Sequence, residues 1–174
     1  MTEYENLDKG KIQEIQDKVN ISSERLEEIV YEIIKPYSSD LDRYVDFIRE
    51  ILKDGENPPT AYELDDFCIN LSVYLYYASG MQEQLGIRDD ISRALYKEIY
   101  NSYRQSQEKG TVADKDAIAE LASQQEYLTS VCYKRAYGIM KAKVSSGQEL
   151  LSSIKKVISR RMSENELTNL GGNR

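Results

Sequence analysis

The chain of 174 residues has no histidine and no tryptophan, only two cysteines, three prolines and two phenylalanines. Without histidine, the commonest general base and the Ser-His and Cys-His nucleophile pairs cannot be built. The usual zinc sets are excluded with them, because Cys68 and Cys132 stand alone without CxxC spacing. Both thiols read as small core residues on apolar helix faces rather than as a disulfide. An apolar run of about 18 residues is also missing, so no membrane span is expected. The acidic start MTEYENLDKGK does not resemble a secretory signal. These absences predict a cytoplasmic protein that is not an enzyme and calls for no cofactor.

The scarcity of proline, together with long periodic runs, predicts an all-α chain. Charged residues make up 30% of it, and the mean hydropathy is −0.61. Both values suit long helices with wet outer faces that find further apolar contacts in other copies of themselves.

The reading in chain order begins with a short helix through Ile12, Ile15 and Val19, followed by a capping turn at Asn20–Ser23. A helix over Glu24–Lys35 is expected to stop at Pro36, which lacks an amide and restricts its predecessor. A third helix over Ser38–Asp54, closed by Gly55, completes an N-terminal helical hairpin. Residues 1–56 are read as an acidic N-terminal helical region and residues 60–162 as a long-helix core. Glu56-Asn57-Pro58-Pro59 is the clearest linker between the two.

Thr60 and Glu63 read as a capping box that starts a helix to about Leu85, with Gly86 ending it and Gly80 marking a kink, a close crossing or a tolerated surface position. The next helix is expected over Arg88–Lys109, closed by Gly110. Thr111 with Asp114 restarts the chain, and one helix is predicted to Val144. Ser145-Ser146-Gly147 interrupts it as a hinge or a weak turn in a continuous rod. Residues 163–174 are expected to be a disordered tail.

Ile118, Leu121, Leu128, Cys132 and Ile139 recur at steps near three and four, and Leu151, Ile154 and Ile158 continue the pattern. These eight residues are the candidate oligomer interface, because such a stripe needs a partner. The acidic pairs Asp65-Asp66, Asp89-Asp90 and Asp114/Asp116 lack calcium-loop spacing, and the last two suit helix starts. No metal site is expected.

Charge is distributed unevenly. Residues 1–66 hold 8 basic and 18 acidic side chains, whereas residues 131–174 hold 9 and 3. A basic end on an acidic chain can bind phosphates or the acidic end of a neighbouring copy. Tyrosine supplies 14 of the 16 aromatics, and its flat apolar face with a polar tip suits packing or stacking on unpaired bases. Arg88, Arg93, Lys97 and Arg104 are interleaved with Tyr96, Tyr100 and Tyr103, and Tyr133 and Tyr137 flank Lys134 and Arg135. The candidate nucleic-acid contacts are Arg88, Arg93, Lys97, Tyr100, Tyr103 and Arg104, with Lys155, Lys156, Arg160 and Arg161 in the basic C-terminal run.

The last third resembles the recombination mediator family of UvsY from T4-like phages. The resemblance lies in Ala113–Asp116 (ADKD), Tyr127, Cys132, the small and basic stretch Lys143–Gly147, and the basic amphipathic run to Glu164. It implies a protein that binds single-stranded DNA, forms a ring-like homo-oligomer, and helps load a RecA-like recombinase against a single-strand-binding protein. In that family basic residues just before a tyrosine pair contact DNA, and the nearest equivalents here are Arg93 and Lys97, ahead of Tyr100 and Tyr103. A phage-encoded chain would act in the infected bacterial cytoplasm. The alternatives are a helical virion or assembly protein that oligomerises without DNA, and a small adaptor or inhibitor that binds a host protein through its N-terminal hairpin.

Overall fold

A computed structural model describes the backbone of residues 9–54 and 57–171, and the side chains of 10–54 and 57–164. It contains four helices and no strand among the described residues: α1 (Lys9–Lys53), α2 (Ala61–Ser106), α3 (Val112–Ala122) and α4 (Gln124–Gly171). At 1.5 Å per residue the three long helices are each about 70 Å in length.

Both predicted capping boxes are present. The Glu63 amide donates to Thr60 Oγ1 at 3.3 Å while the Thr60 amide donates to Glu63 Oε2 at 2.7 Å. Thr111 and Asp114 repeat the exchange at 3.2 and 3.0 Å. Each box satisfies amides that a first helical turn leaves without partners. Gly110, between α2 and α3, has φ +112°, a conformation that glycine adopts without the steric cost of a Cβ.

Neighbouring residues fix the helix directions. Tyr44 stacks on Tyr74 with centroids 4.7 Å apart, and Phe47 meets Phe67 edge-on. The Arg88 guanidinium lies over the Tyr37 ring, so α1 and α2 are antiparallel. Gly86 lies against Tyr137, Gly147 against Leu75, and Arg161 against Pro59, which makes α2 and α4 antiparallel as well. α1 therefore runs parallel to α4, and Lys143 pairs with Asp42 between them. Ile48, Leu64, Leu71, Leu85 and Met140 are almost wholly buried in the shared core, joined by Val30, Ile34, Leu41, Phe67, Ala136 and Ile154. The acidic N-terminal helix and the long-helix core are thus parts of one packed bundle.

Several expectations are corrected. The N-terminal helical hairpin is absent, since Asn20–Ser23 and Pro36 both lie inside continuous α1. A proline inside a helix costs about 3 kcal/mol. Val30 and Ile34 before Pro36, and Leu41 and Ile48 after it, share one buried face, and burying each such side chain contributes about 1.5–3 kcal/mol. Burial wins. Pro36 and Glu32, whose carbonyl loses its usual donor, both face solvent.

Gly86 does not end α2. A Cβ there would stand 3.3 Å from Tyr137 Cε2, so this glycine allows a close approach of α4. Gly80 has no atom within 4 Å of its would-be Cβ and is a surface position. The helix expected over 111–144 breaks at Ser123, which is fully buried with ψ 13°. Its hydroxyl and amide both donate to the Ala119 carbonyl, at 2.7 and 3.0 Å, so local side-chain bonding competes with helix continuation. The Ser145-Ser146-Gly147 stretch is helical throughout. A Cβ on Gly147 would come within 2.7 Å of Leu75 Cδ2, so the glycine serves helix packing there. The backbone stays helical to Gly171 where a tail was expected, and 172–174 lie outside the described residues. Gly55 lies outside them too.

Candidate nucleic-acid interface

The ten candidate contact residues fall into two groups with different roles. On α2, Arg93 Nη2 sits 2.5 Å from Asp90 and 3.2 Å from Asp89. Asp89 is 6% exposed, and its other carboxylate oxygen has no hydrogen-bond partner. Arg93 thereby compensates a carboxylate that burial would otherwise penalise. Arg104 Nε is 2.5 Å from Asp116, and the Tyr100 hydroxyl donates to the same oxygen at 3.2 Å. These contacts fasten α3 to the end of α2, assisted by Tyr96 against Tyr127 at 5.4 Å. Burial, followed by the Asp116 charge, pushes the Tyr100 hydroxyl above its ordinary pKa. Arg88 is engaged with Tyr37. Lys97 is exposed without a hydrogen bond or ion pair among the described residues, and Tyr103 is exposed at the outer end of α2.

On α4, Arg161 Nη1 donates to the Pro59 carbonyl at 2.6 Å and ties the linker to the bundle. Arg160 lies 3.9 Å from Glu164, a loose exposed pair. Lys155 and Lys156 are exposed and make no hydrogen bond or ion pair among the described residues. Burial raises the Cys68 thiol pKa, with Lys155 opposing that shift from across the α2–α4 seam.

Lys134, Arg135 and Lys141 extend this second group, since all three are exposed and without a hydrogen bond or ion pair among the described residues. Lys134, Lys141, Gln148 and Lys155 recur every seven residues, so they form one stripe over about 32 Å of α4. Between Lys134 and Ser163 the sole carboxylate is Glu149. Two serines on this surface give their hydroxyls to the helix, Ser152 and Ser159 donating to carbonyls four residues back. On α4 itself the face is consequently basic, and the nearest competing anion at the adjoining groove is Glu83 of α2.

An open groove of about 780 Å³ adjoins the stripe, with Tyr76, Tyr77 and Gly80 of α2 facing Lys141, Ser145 and Gln148 of α4. Tyr76 and Tyr77 are 76% and 63% exposed. Unpaired bases stack on such rings regardless of sequence. Neither tyrosine, nor Lys141, was among the expected contacts. The signal available in the sequence was the Tyr-Tyr pair with glycine one turn on; the two rings meet edge to face at 5.5 Å and stay largely exposed.

The candidate interface stripe also divides. Cys132 and Ile154 are buried in the chain's own core, with Leu151 and Ile158 packed against it. Ile118, Leu121, Leu128 and Ile139 are 41–76% exposed. Cys68 and Cys132 are free thiols. No group of three or more Cys, Asp and Glu side chains converges to hold a metal among the described residues, and no helix there is long and apolar enough to cross a membrane. No protein-family model, curated protein or solved structure matches the chain.

Proposed function

We propose that this protein is a non-enzymatic accessory factor that self-associates and holds single-stranded DNA along α4. The observation that carries this reading is the set Lys134, Lys141, Lys155 and Lys156, without ion pairs among the described residues, on a stretch of α4 whose one carboxylate is Glu149. Phosphates would replace water and counterions on Lys134, Lys141, Lys155 and Lys156, and bases would stack on Tyr76 and Tyr77. Binding of this kind is indifferent to sequence and weakens steeply with salt. Arg93, Arg104 and Arg161 act as internal ties in this reading, and Lys97 and Tyr103 extend the contact surface on α2.

The exposed residues Ile118, Leu121, Leu128 and Ile139 would join copies of the chain and pool their cations into a longer track. In the recombination setting that the UvsY resemblance implies, such an assembly helps load a RecA-like recombinase while a single-strand-binding protein is displaced. The acidic surface of α1 is the side available to those protein partners.

Fluorescence anisotropy with labelled oligo-dT across a salt series tests the reading. Saturable binding whose affinity falls by orders of magnitude between 50 and 200 mM salt, as several phosphate contacts require, supports it. No binding at 50 mM salt removes it and leaves the second reading, an assembly protein that oligomerises without DNA. The internal pairing of Arg93, Arg104 and Lys143 favours that second reading.

A further inference from the structure

The first third of α1 extends beyond the packed core, and every residue from Gly10 to Ser22 is exposed. Its apolar residues nevertheless follow a strict alternation of three and four. Ile12, Ile15, Val19, Ser22, Leu26 and Ile29 occupy successive a and d positions of a heptad, with serine as the one polar member. Ile15, Val19 and Ile29 are 53–61% exposed. The core-facing residues Val30, Ile34 and Leu41 lie on a different stripe, and although Leu26 also touches the core, bundle packing does not account for Ile12, Ile15 and Val19. Isolated helices of this length are marginal in water, and an uncovered seam of this kind is what a partner helix stabilises.

Ile15, Val19, Ser22 and Leu26 line one side of a groove of about 1110 Å³, whose opposite wall is Ile139 and Arg135 of α4. We propose that this groove receives the α1 arm of a second copy, the two arms forming a parallel coiled coil. Two observations select that occupant. The seam is apolar at matching heptad positions, so it complements itself. The incoming arm also carries Asp17 and Glu24 on its outer sides, and Arg135, on the groove wall across from Glu27 and Glu28, has no ion pair among the described residues.

Charge selects the orientation. The g positions flanking the seam are Lys11, Lys18 and Arg25, all basic though Lys18 pairs with Glu14, and the e positions are Gln16, Ser23 and Val30. Antiparallel pairing sets g against g and opposes like charges, whereas parallel pairing sets each g residue against a neutral e residue. This contact is separate from the α3–α4 stripe and does not depend on DNA binding.

The test uses the full chain with Val19→Cys, oxidised at micromolar concentration, with the unsubstituted chain as control for Cys68 and Cys132. A reducible dimer at Val19→Cys supports the parallel seam. Crosslinking between Ile15→Cys and Leu26→Cys chains, with none at Val19→Cys, overturns the orientation. Val19→Lys is followed by light scattering and circular dichroism, and is expected to raise the concentration needed for association by at least about 10-fold while helicity outside the arm is kept. Unchanged association in Val19→Lys, or a strict monomer without crosslinks, overturns the docking and leaves the groove to a different helix. Oligo-dT binding measured on the same variants reports on α4 separately, so failure of one assignment is distinguishable from failure of the other.

Discussion

α1 and α4 are parallel neighbours of nearly equal length, and they treat charge in opposite ways. In α1 the cations sit one turn from anions: Lys18 pairs with Glu14, Lys35 with Glu32, Arg43 with Asp40, Arg49 with Asp46, and Lys53 with Glu50. Each exposed pair contributes only about 0.2–0.5 kcal/mol, but together they leave few positive groups for an outside ligand. In α4, from Lys134 to Lys156, only Glu149 could play the anion's part, and the cations stay unpaired apart from Lys143 with Asp42. Net charge alone would call the whole chain acidic. The comparison teaches that local pairing along a helix, rather than the total, decides where a polyanion can dock.

The largest expected effect removes that difference. Replacing Lys141, Lys155 and Lys156 together by alanine should weaken oligo-dT binding about 100-fold at low salt and reduce the slope of log affinity against log salt by about 2, as loss of three single-strand phosphate contacts requires. Replacing Lys18, Arg43 and Lys53 of α1 by alanine should leave both quantities nearly unchanged. Equal losses from the two triple variants in anisotropy titrations would mean that the contrast between the helices has no bearing on ligand choice.

Pro36 allows the comparison to be sharpened from the side of stability. α4 has no proline, while α1 carries one at an exposed position inside its helix. Pro36→Ala restores a donor for the Glu32 carbonyl and should stabilise the fold by about 1–3 kcal/mol, measured by urea unfolding. A destabilised variant would show that α1 needs the proline's distortion to reach both α2 and α4.

These elements also show how far the sequence could be read. The Thr60–Glu63 and Thr111–Asp114 boxes and the turn at Gly110 were legible because each is made within four residues. Pro36 and Gly86 do not act as the boundaries that sequence suggests, and of the two readings of Ser145-Ser146-Gly147 the continuous rod holds; the parts played by Gly86 and Gly147 depend on Tyr137 and Leu75 across the helix interface. Apolar periodicity found the stripe on α3 and α4 but not its division, in which Cys132 and Ile154 turn inward while Leu121 stays out. For the candidate site, counting located the basic end. It could not reveal that Arg104 is held by Asp116, twelve residues away, or that Arg161 reaches Pro59.

The capping boxes set a smaller effect, with a defined pH sense. Hydrogen bonds from the Thr60 amide and hydroxyl hold the Glu63 carboxyl below its ordinary pKa, and Thr111 does the same for Asp114. A depressed folded value means that the stabilisation is complete above the unfolded pKa and is lost as pH falls through the folded one. Glu63→Gln should therefore lower the melting temperature near neutrality and flatten its fall on acidification. The boxes start α2 and α3, and α1 has no counterpart among the described residues.

The smallest expected change in binding is also the one that separates a contact from a tie. Arg93 stands in the sequence where the UvsY resemblance places a DNA contact, yet its guanidinium is shared between Asp90 and the largely buried Asp89. Arg93→Ala should leave oligo-dT affinity within about twofold, because the group is already neutralised by two carboxylates. It should lower stability by about 1 kcal/mol, since Asp89 loses its counterion while Arg93, being half exposed, is partly screened. Asp89→Asn in the same background should recover part of that loss by removing the stranded charge. A tenfold fall in affinity with unchanged stability would instead move the track from α4 to α2, and the unpaired lysines of α4 would then be an ordinary solvated face.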